Sequence, residues 1–399
     1  TGGSLGIRGS HQYVRMGGAV ARVMLTEAAA EAWGVAASEC TVAASVITHL
    51  PSGRTTTYGK VASAAAELFP PEEVELKKPE DWKLIGQPVK RLDTLDKLTG
   101  KQVFGADLKL PGMLNAAIRA CPTFGGRLES FDQSAISNMP GVRKVVRVED
   151  NAVAVVADTW WQAKTALDAL PISWDRGANV NVSSASIDEM LDEGLTADQA
   201  FEGNKAGNVK KALAGAARTV EATYHYPYQN HATMEPMNAT ALWSEDSCEV
   251  WCPTQNGEAA LQAAAEASGL PSSQCEVYKI HLGGGFGRRG MHDYVTQAVA
   301  IARQMPGTPV KLLWTREEDM QHGKYHPITK ARMVGGLDEN GDLVGLHVRI
   351  SGQSILASVN PNWMTNGVDM FTFQGLLPDG DHAISYRIPN LLVEHAMRN

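Results

Sequence analysis

The run Gly283-Gly284-Gly285-Phe286-Gly287-Arg288-Arg289 separates a strand-like segment, residues 275–282, from one in which Val295, Ala298, Val299 and Ala302 recur at helical spacing before Pro306-Gly307. Three consecutive glycines are unfavourable inside a helix or a strand, so the run reads as a turn from a strand into a helix. Backbone without Cβ atoms lets a ligand approach within van der Waals range. Successive N–H groups in such a turn form an anion-binding nest, and the helix N-terminus behind it adds partial positive charge. Phe286 stands among glycines with no neighbouring side chain to crowd it. The loop alone leaves two readings open: a ring projecting into a ligand cavity, or a glycine-rich turn carrying a core Phe.

The same strand–loop–helix order occurs just upstream. Strand 248–252 leads through Pro253-Thr254-Gln255-Asn256 into an Ala-rich helix stopped by Gly269. If both strands lie in one sheet, Gln255 and Phe286 approach one place from adjacent strand ends, where ligands of open sheets bind. Taken alone, Gln255 is a helix-start residue. The stretch 230–238, Asn-His-Ala-Thr-Met-Glu-Pro-Met-Asn, is either a structural loop with a buried, paired Glu235 or part of the shell of a cofactor pocket. The opening residues 1–10, with Gly2, Gly3 and Ser4, read as a capping loop ending at Ser10 or as a phosphate- or pterin-binding turn. Gly285, Gly287 and Gly290 also satisfy G-x-G-x-x-G, the dinucleotide pattern. The acidic residue expected about 20 positions on is missing, however, and the first acid beyond the next strand is Glu317.

Elsewhere the pattern predicts a helix over 11–33, a strand over 40–49, a turn at Pro51-Ser52-Gly53, a strand over 54–58, a helix near 60–68 and a linker over 69–83. Strands follow at 113–119, 142–148 and 152–156, then a helix carrying Trp161, Thr165, Ala166 and Ala169 on one face. Residues 176–208 read as an irregular polar excursion with one helix, and residues 219–226 as an alternating strand. Strands and helices are segregated rather than alternating, which is α+β. We expect segments 1–75, 76–200 and 201–399. Both ends read as interior sequence, the last being apolar residues 391–399, and suggest an internal piece of a longer polypeptide.

A formal net charge of -8 argues against a broad nucleic-acid-binding face, which would need clustered Lys and Arg, and against an anionic membrane surface as the main partner. The five cysteines are odd in number and show no C-x-x-C, so neither a disulfide framework nor iron–sulfur ligands are signalled.

PTQN at 253–256, GGGFGRR at 283–289 and LLWTREEDM at 312–320, with the spacing from Gln255 to Phe286, resemble the molybdenum-binding large subunit of the xanthine oxidase family. HATMEPMNATA at 231–241, the stretch 85–113 and the TGGS opening are similar to the isoquinoline 1-oxidoreductase beta subunit and aldehyde oxidoreductase branch. The resemblance covers almost the whole chain and outweighs dinucleotide binding.

It implies an α/β hammerhead domain over 85–175, most of the first molybdopterin-binding domain over 205–399, and a part of another over 1–75. It implies that Gln255 hydrogen-bonds near the molybdenum oxo ligand or dithiolene. Gly284, Gly285, Phe286 and Gly287 would pass close to the metal face, and Phe286 and Arg288 would shape the substrate channel. Gly2, Gly3 and Ser4 would contact the pterin dinucleotide, in its cytosine form. No side chain would ligate the metal directly. The general-base Glu lies downstream in the family, so no catalytic residue falls in this chain, which by itself would be inactive.

The reaction implied is hydroxylation of an aldehyde or N-heteroaromatic carbon with oxygen from water. Electrons would leave through iron–sulfur clusters on a small partner subunit, with a cytochrome c subunit as a further partner. Purines are disfavoured, because Gly290 stands where purine-hydroxylating relatives carry a Glu. Arg288 and Arg289 would steer an anionic substrate, pair with cofactor phosphate or form a surface salt bridge. Export of many relatives through a twin-arginine signal leans towards the bacterial periplasm over the cytoplasm. The competing class is a cofactor-less binding or scaffold protein retaining the fold.

Overall fold

The computed structural model describes residues 5–399. Gly2, Gly3 and Ser4 therefore lie outside the described residues. The chain forms two compact units, Thr1–Gln102 and Val103–Asn399.

In the first unit a helix, α1 (Leu5–Trp33), runs until Gly34 turns the backbone left-handed at φ 67. The expected capping loop ending at Ser10 is overturned, because residues 5–10 are already helical. The Ser10 hydroxyl bonds back to the Ile7 carbonyl at 3.3 Å instead of capping. The strand expected over 40–49 is a hairpin of β1 (Cys40–Ala43) and β2 (Val46–His49), closed by Ala44 and Ser45 at φ 47 and 64. Two successive positive φ values make the primed turn that suits a tight hairpin. β3 (Thr55–Thr57) adds a third strand, and α2 (Tyr58–Ala65) and the short α3 (Thr94–Leu98) follow.

The second unit carries β4 (Leu114–Ala120), β5 (Arg127–Phe131), β6 (Val142–Val148), β7 (Ala152–Ala157), α4 (Trp160–Ala169) and β8 (Ile172–Asp175). Next come α5 (Ser184–Thr196), β9 (Phe201–Ala206), α6 (Val209–Ala214), β10 (Arg218–Tyr226), β11 (Asn238–Trp243) and β12 (Cys248–Cys252). The chain continues through α7 (Gly257–Ser268), β13 (Cys275–Lys279), α8 (Asp293–Ala302), β14 (Val310–Leu313) and α9 (Arg316–Gln321). β15 (Thr329–Leu337), β16 (Leu343–Gly352), α10 (Ile355–Val359) and β17 (Leu391–Met397) complete it.

Seven strands form one mixed sheet in the order β13-β12-β11-β14-β4-β7-β6. β14 runs parallel to β4 and antiparallel to β11, so residues 114–157 share their sheet with residues 238–313. β7 shows how the sheet is built. Ala152, Ala154 and Val156 enter one core beneath α7 and α8, while Val153, Val155 and Ala157 enter another beneath α4. Period-two alternation feeds both faces, so an unbroken apolar strand results. A second sheet, β10-β15-β16-β17-β9, has its core around Val348, Ile350, Phe373, Leu391 and Val393. The class is α+β, as the segregated pattern implies.

Candidate functional site

β12 and β13 are parallel neighbours in the register Cys248↔Cys275 to Cys252↔Lys279, so the loops that leave their carboxyl ends begin side by side. The amide oxygen of Gln255 accepts the N–H of Gly287 at 3.0 Å and that of Arg289 at 3.2 Å. The Gln255 N–H in turn donates to the Arg289 carbonyl at 3.1 Å. Two backbone donors fix which end of the amide is oxygen. The opposite end, Nε2, has no hydrogen bond among the described residues and is left for another acceptor. Thr254 ties the same loop to the start of α8 through a 2.9 Å contact between its hydroxyl and Nε2 of His292. The Asn256 side chain caps α7 by accepting from the Ala259 N–H at 3.3 Å.

The glycines are needed for this approach. A Cβ on Gly285 would fall 2.6 Å from Gln255 Oε1, and one on Gly283 would fall 2.5 Å from Glu235 Cβ. Phe286 sits in the left-handed region at φ 54, a conformation that costs about 1–2 kcal/mol for a residue with a Cβ. The residue is 75% exposed. Of the two readings left open for Phe286, the structure therefore shows the ring outside the core.

The two arginines point inward. Arg288 is 1% exposed, its two Nη atoms each donate to Asp293 at 2.8 Å, and its guanidinium lies 5.6 Å from the centre of the Trp314 ring. This corrects the expected placement in a substrate channel and the surface-salt-bridge reading. The 3-10 turn Arg288–Gly290 that follows Gly287 at φ 103 tucks both side chains beneath the loop. The forked pair with Asp293 offsets the desolvation of Arg288. Arg289 is wholly buried and donates to the carbonyls of Gly284 at 2.8 Å and Glu235 at 2.7 Å, and to the Glu235 carboxylate at 3.0 Å. Neither guanidinium is available to steer a substrate or to meet a cofactor phosphate. Glu235 is buried and paired, one of its two expected readings.

Arg316 was not singled out from the sequence, although it lies in the LLWTREEDM stretch. It donates to the carbonyls of Thr233 and Met234 and pairs with Asp319 at 2.6 Å, fixing residues 233–234 against α9. A mainly apolar cavity of about 540 Å³ opens beside it, lined by Phe104, Trp160, Met234, Gly283 and Trp314 among others. Burial pushes the Glu318 carboxyl up to about 7 and the Asp319 carboxyl upward. His231 is pushed down by burial and next by Arg288, which favours the neutral ring. Burial pushes the Cys252 thiol up to about 12, so it is a packing group and not a thiolate. Among the described residues no three His, Cys, Asp or Glu side chains cluster so as to hold a metal ion.

Residues 193–372 match the family model of a molybdopterin cofactor-binding domain. The chain is 27% identical to a membrane-bound aldehyde dehydrogenase [pyrroloquinoline-quinone] of Gluconacetobacter polyoxogenes, over 96% of this chain and 51% of that protein. It is 26% identical to the isoquinoline 1-oxidoreductase subunit beta of Brevundimonas diminuta, over 89% of this chain and 51% of the relative. The chain thus spans about half the length of these curated relatives. In fold it is similar to quinoline 2-oxidoreductase from Pseudomonas putida 86, with a TM-score of 0.60 and 19% identity over 77% of this chain and 44% of that one. The aldehyde oxidoreductase of Desulfovibrio gigas gives a TM-score of 0.58 at 18% identity, over 76% of this chain and 37% of that one. The matched molybdopterin cofactor-binding domain contains both converging loops, and the similarity to these relatives extends along most of the chain.

Proposed function

We propose that this chain is the molybdenum-cofactor-binding part of an enzyme that hydroxylates an aldehyde or N-heteroaromatic carbon with oxygen from water. One observation carries the reading. The Gln255 amide is locked by the glycine loop with its NH2 end unengaged, next to an exposed Phe286.

The residues present suit a pterin-bound metal as one wall of its site. At Gly283 and Gly285 the place of a Cβ is taken by Glu235 and Gln255, so these glycines let the loop close onto Gln255, and the loop's two guanidiniums are engaged within the protein. When bound, the molybdenum centre supplies activation of water and accepts an electron pair. The chain's own part is orientation. Gln255 donates a hydrogen bond from Nε2 to an acceptor on the cofactor, Gly284, Gly285 and Gly287 let it lie close, and Phe286 offers a ring face to a planar substrate. Preorganised donors of this kind act strongly because they need no rearrangement during the reaction.

Gly2, Gly3 and Ser4 would contact the dinucleotide part, in its cytosine form. Electrons would pass to iron–sulfur clusters on a small partner subunit, and from there to a cytochrome c subunit. Metal and pterin analysis of the natively purified full-length protein tests the reading. Stoichiometric molybdenum with a pterin cytosine dinucleotide is expected. Protein free of both, yet folded, would mean a scaffold that has lost the cofactor.

A further inference from the structure

We infer that the buried ion pair of Glu235 and Arg289 is a positioning device that sets the glycine loop against Gln255, so that cofactor retention depends on two side chains that touch no ligand. The inference rests on the proposed cofactor site and concerns how that site is held.

Four chain segments meet at this pair. Arg289 Nε donates to the Gly284 carbonyl at 2.8 Å and Nη1 to the Pro253 carbonyl at 3.4 Å. Nη2 donates to the Glu235 carbonyl at 2.7 Å and to Glu235 Oε2 at 3.0 Å. Glu235 Oε2 also accepts the Gly283 N–H at 2.8 Å, and Oε1 accepts the Ala106 N–H at 2.9 Å. The Glu235 N–H donates back to the Gly283 carbonyl at 3.1 Å. The glycine loop, the segment before β11, the end of β12 and the turn at Ala106 are thereby joined at one point.

Arg289 is 0% and Glu235 8% exposed, and among the described residues their side chains bond to one another and to backbone groups. A buried ion pair is a poor way to gain stability, since apolar residues of similar volume often do as well or better. What it provides is direction. A planar guanidinium presents five donors in fixed geometry, and a carboxylate accepts on two oxygens. The glycine loop has few side chains with which to pack, so its backbone is held by these bonds. An ammonium at position 289 would reach one or two of the same acceptors and leave the rest unpaired.

The test uses full-length enzyme with its partner subunits, carrying Arg289→Lys or Glu235→Gln. Three quantities are measured: molybdenum and pterin per folded polypeptide, kcat and KM of the loaded fraction, and hydrogen exchange at the Gly283, Gly287 and Arg289 amides. Both variants should fold. Arg289→Lys should hold cofactor or turn over about 10–100-fold less well, the range seen when partners behind a bound metal are removed. The named amides should exchange faster while those of β11 and β12 keep their protection, and kcat should fall more than KM rises. Wild-type cofactor content and kcat in a folded Arg289→Lys enzyme would overturn the inference. So would uniformly faster exchange, or failure of both variants to fold, since the pair would then serve the fold at large. If the wild-type protein itself contains no molybdenum or pterin, the proposed function fails, and the exchange data alone judge whether the pair holds the loop.

Discussion

Gln255 and Gly287, on loops from adjacent parallel strands, are joined by a 3.0 Å hydrogen bond from the Gly287 N–H to the Gln255 amide oxygen. The bond determines which way the amide faces: the oxygen is held by the loop, and in the proposed function the nitrogen is the end that donates to the cofactor.

The two roles can be separated by substitution. Gln255→Glu keeps acceptors for the Gly287 and Arg289 N–H groups but replaces the donor end with an acceptor. We expect a folded full-length enzyme whose turnover falls about 100-fold, in line with loss of a preorganised donor. Gln255→Ala loses both roles and should also loosen the loop. Steady-state kinetics beside molybdenum content checks this, and wild-type values for both in Gln255→Glu would remove the amide donor from the proposal.

Gly285→Ala places a methyl group 2.6 Å from Gln255 Oε1. Backbone on one side and a doubly bonded amide on the other leave little room to yield. The substitution should lower unfolding free energy by about 1–3 kcal/mol, the usual range for overpacking. Urea titration measures it, and a stability equal to that of wild type would mean that the two loops are not in contact in solution.

Phe286→Ala should behave oppositely. With its ring largely in solvent, the side chain contributes little packing, and stability should change by no more than about 0.5 kcal/mol. If the ring faces substrate, KM for an N-heteroaromatic compound should rise while that for a small aliphatic aldehyde changes little. An equal effect on both substrates would argue against a stacking role.

Glu318 gives a pH signature. Its carboxyl, ordinarily near 4.5, is raised to about 7 by burial, with the Ala120 N–H bond at 2.8 Å opposing the shift. A raised pKa means that the folded state binds the proton more tightly than the unfolded one. The contribution is therefore full below about pH 4.5 and is lost as pH rises through 7. Glu318→Gln, which keeps an acceptor for Ala120 without a charge, should gain stability over wild type on the order of 1–3 kcal/mol between pH 5 and pH 8. Parallel melting curves of the two proteins across that window would sink the assignment.

The convergence of Gln255 with the glycine loop was legible because both loops show the same strand–loop–helix order within a short stretch, and consecutive strands of this kind tend to be neighbours. The need for glycine was legible for the same local reason. The direction of Arg288 and Arg289 was not, since it follows from the left-handed Gly287 and the 3-10 turn after it, and residue types do not encode that choice. The hairpin at Ala44-Ser45 was missed because neither residue is the Asn or Gly that usually marks two positive φ values. The union of residues 114–157 with 238–313 rests on pairing between β14 and β4, distant in sequence and invisible to any local pattern.

That pairing has a consequence for how the molecule is made. β14 is only four residues long, yet it is the plank between β4 and β11, and it emerges from the ribosome after both. Without β14, the edges of β4 and β11 that it pairs in the finished sheet would have no strand between them. Open edges of this kind invite pairing with other chains. Translation that stalls before Val310 should thus yield an aggregation-prone product even though the loops at 253–256 and 283–289 had already been synthesised.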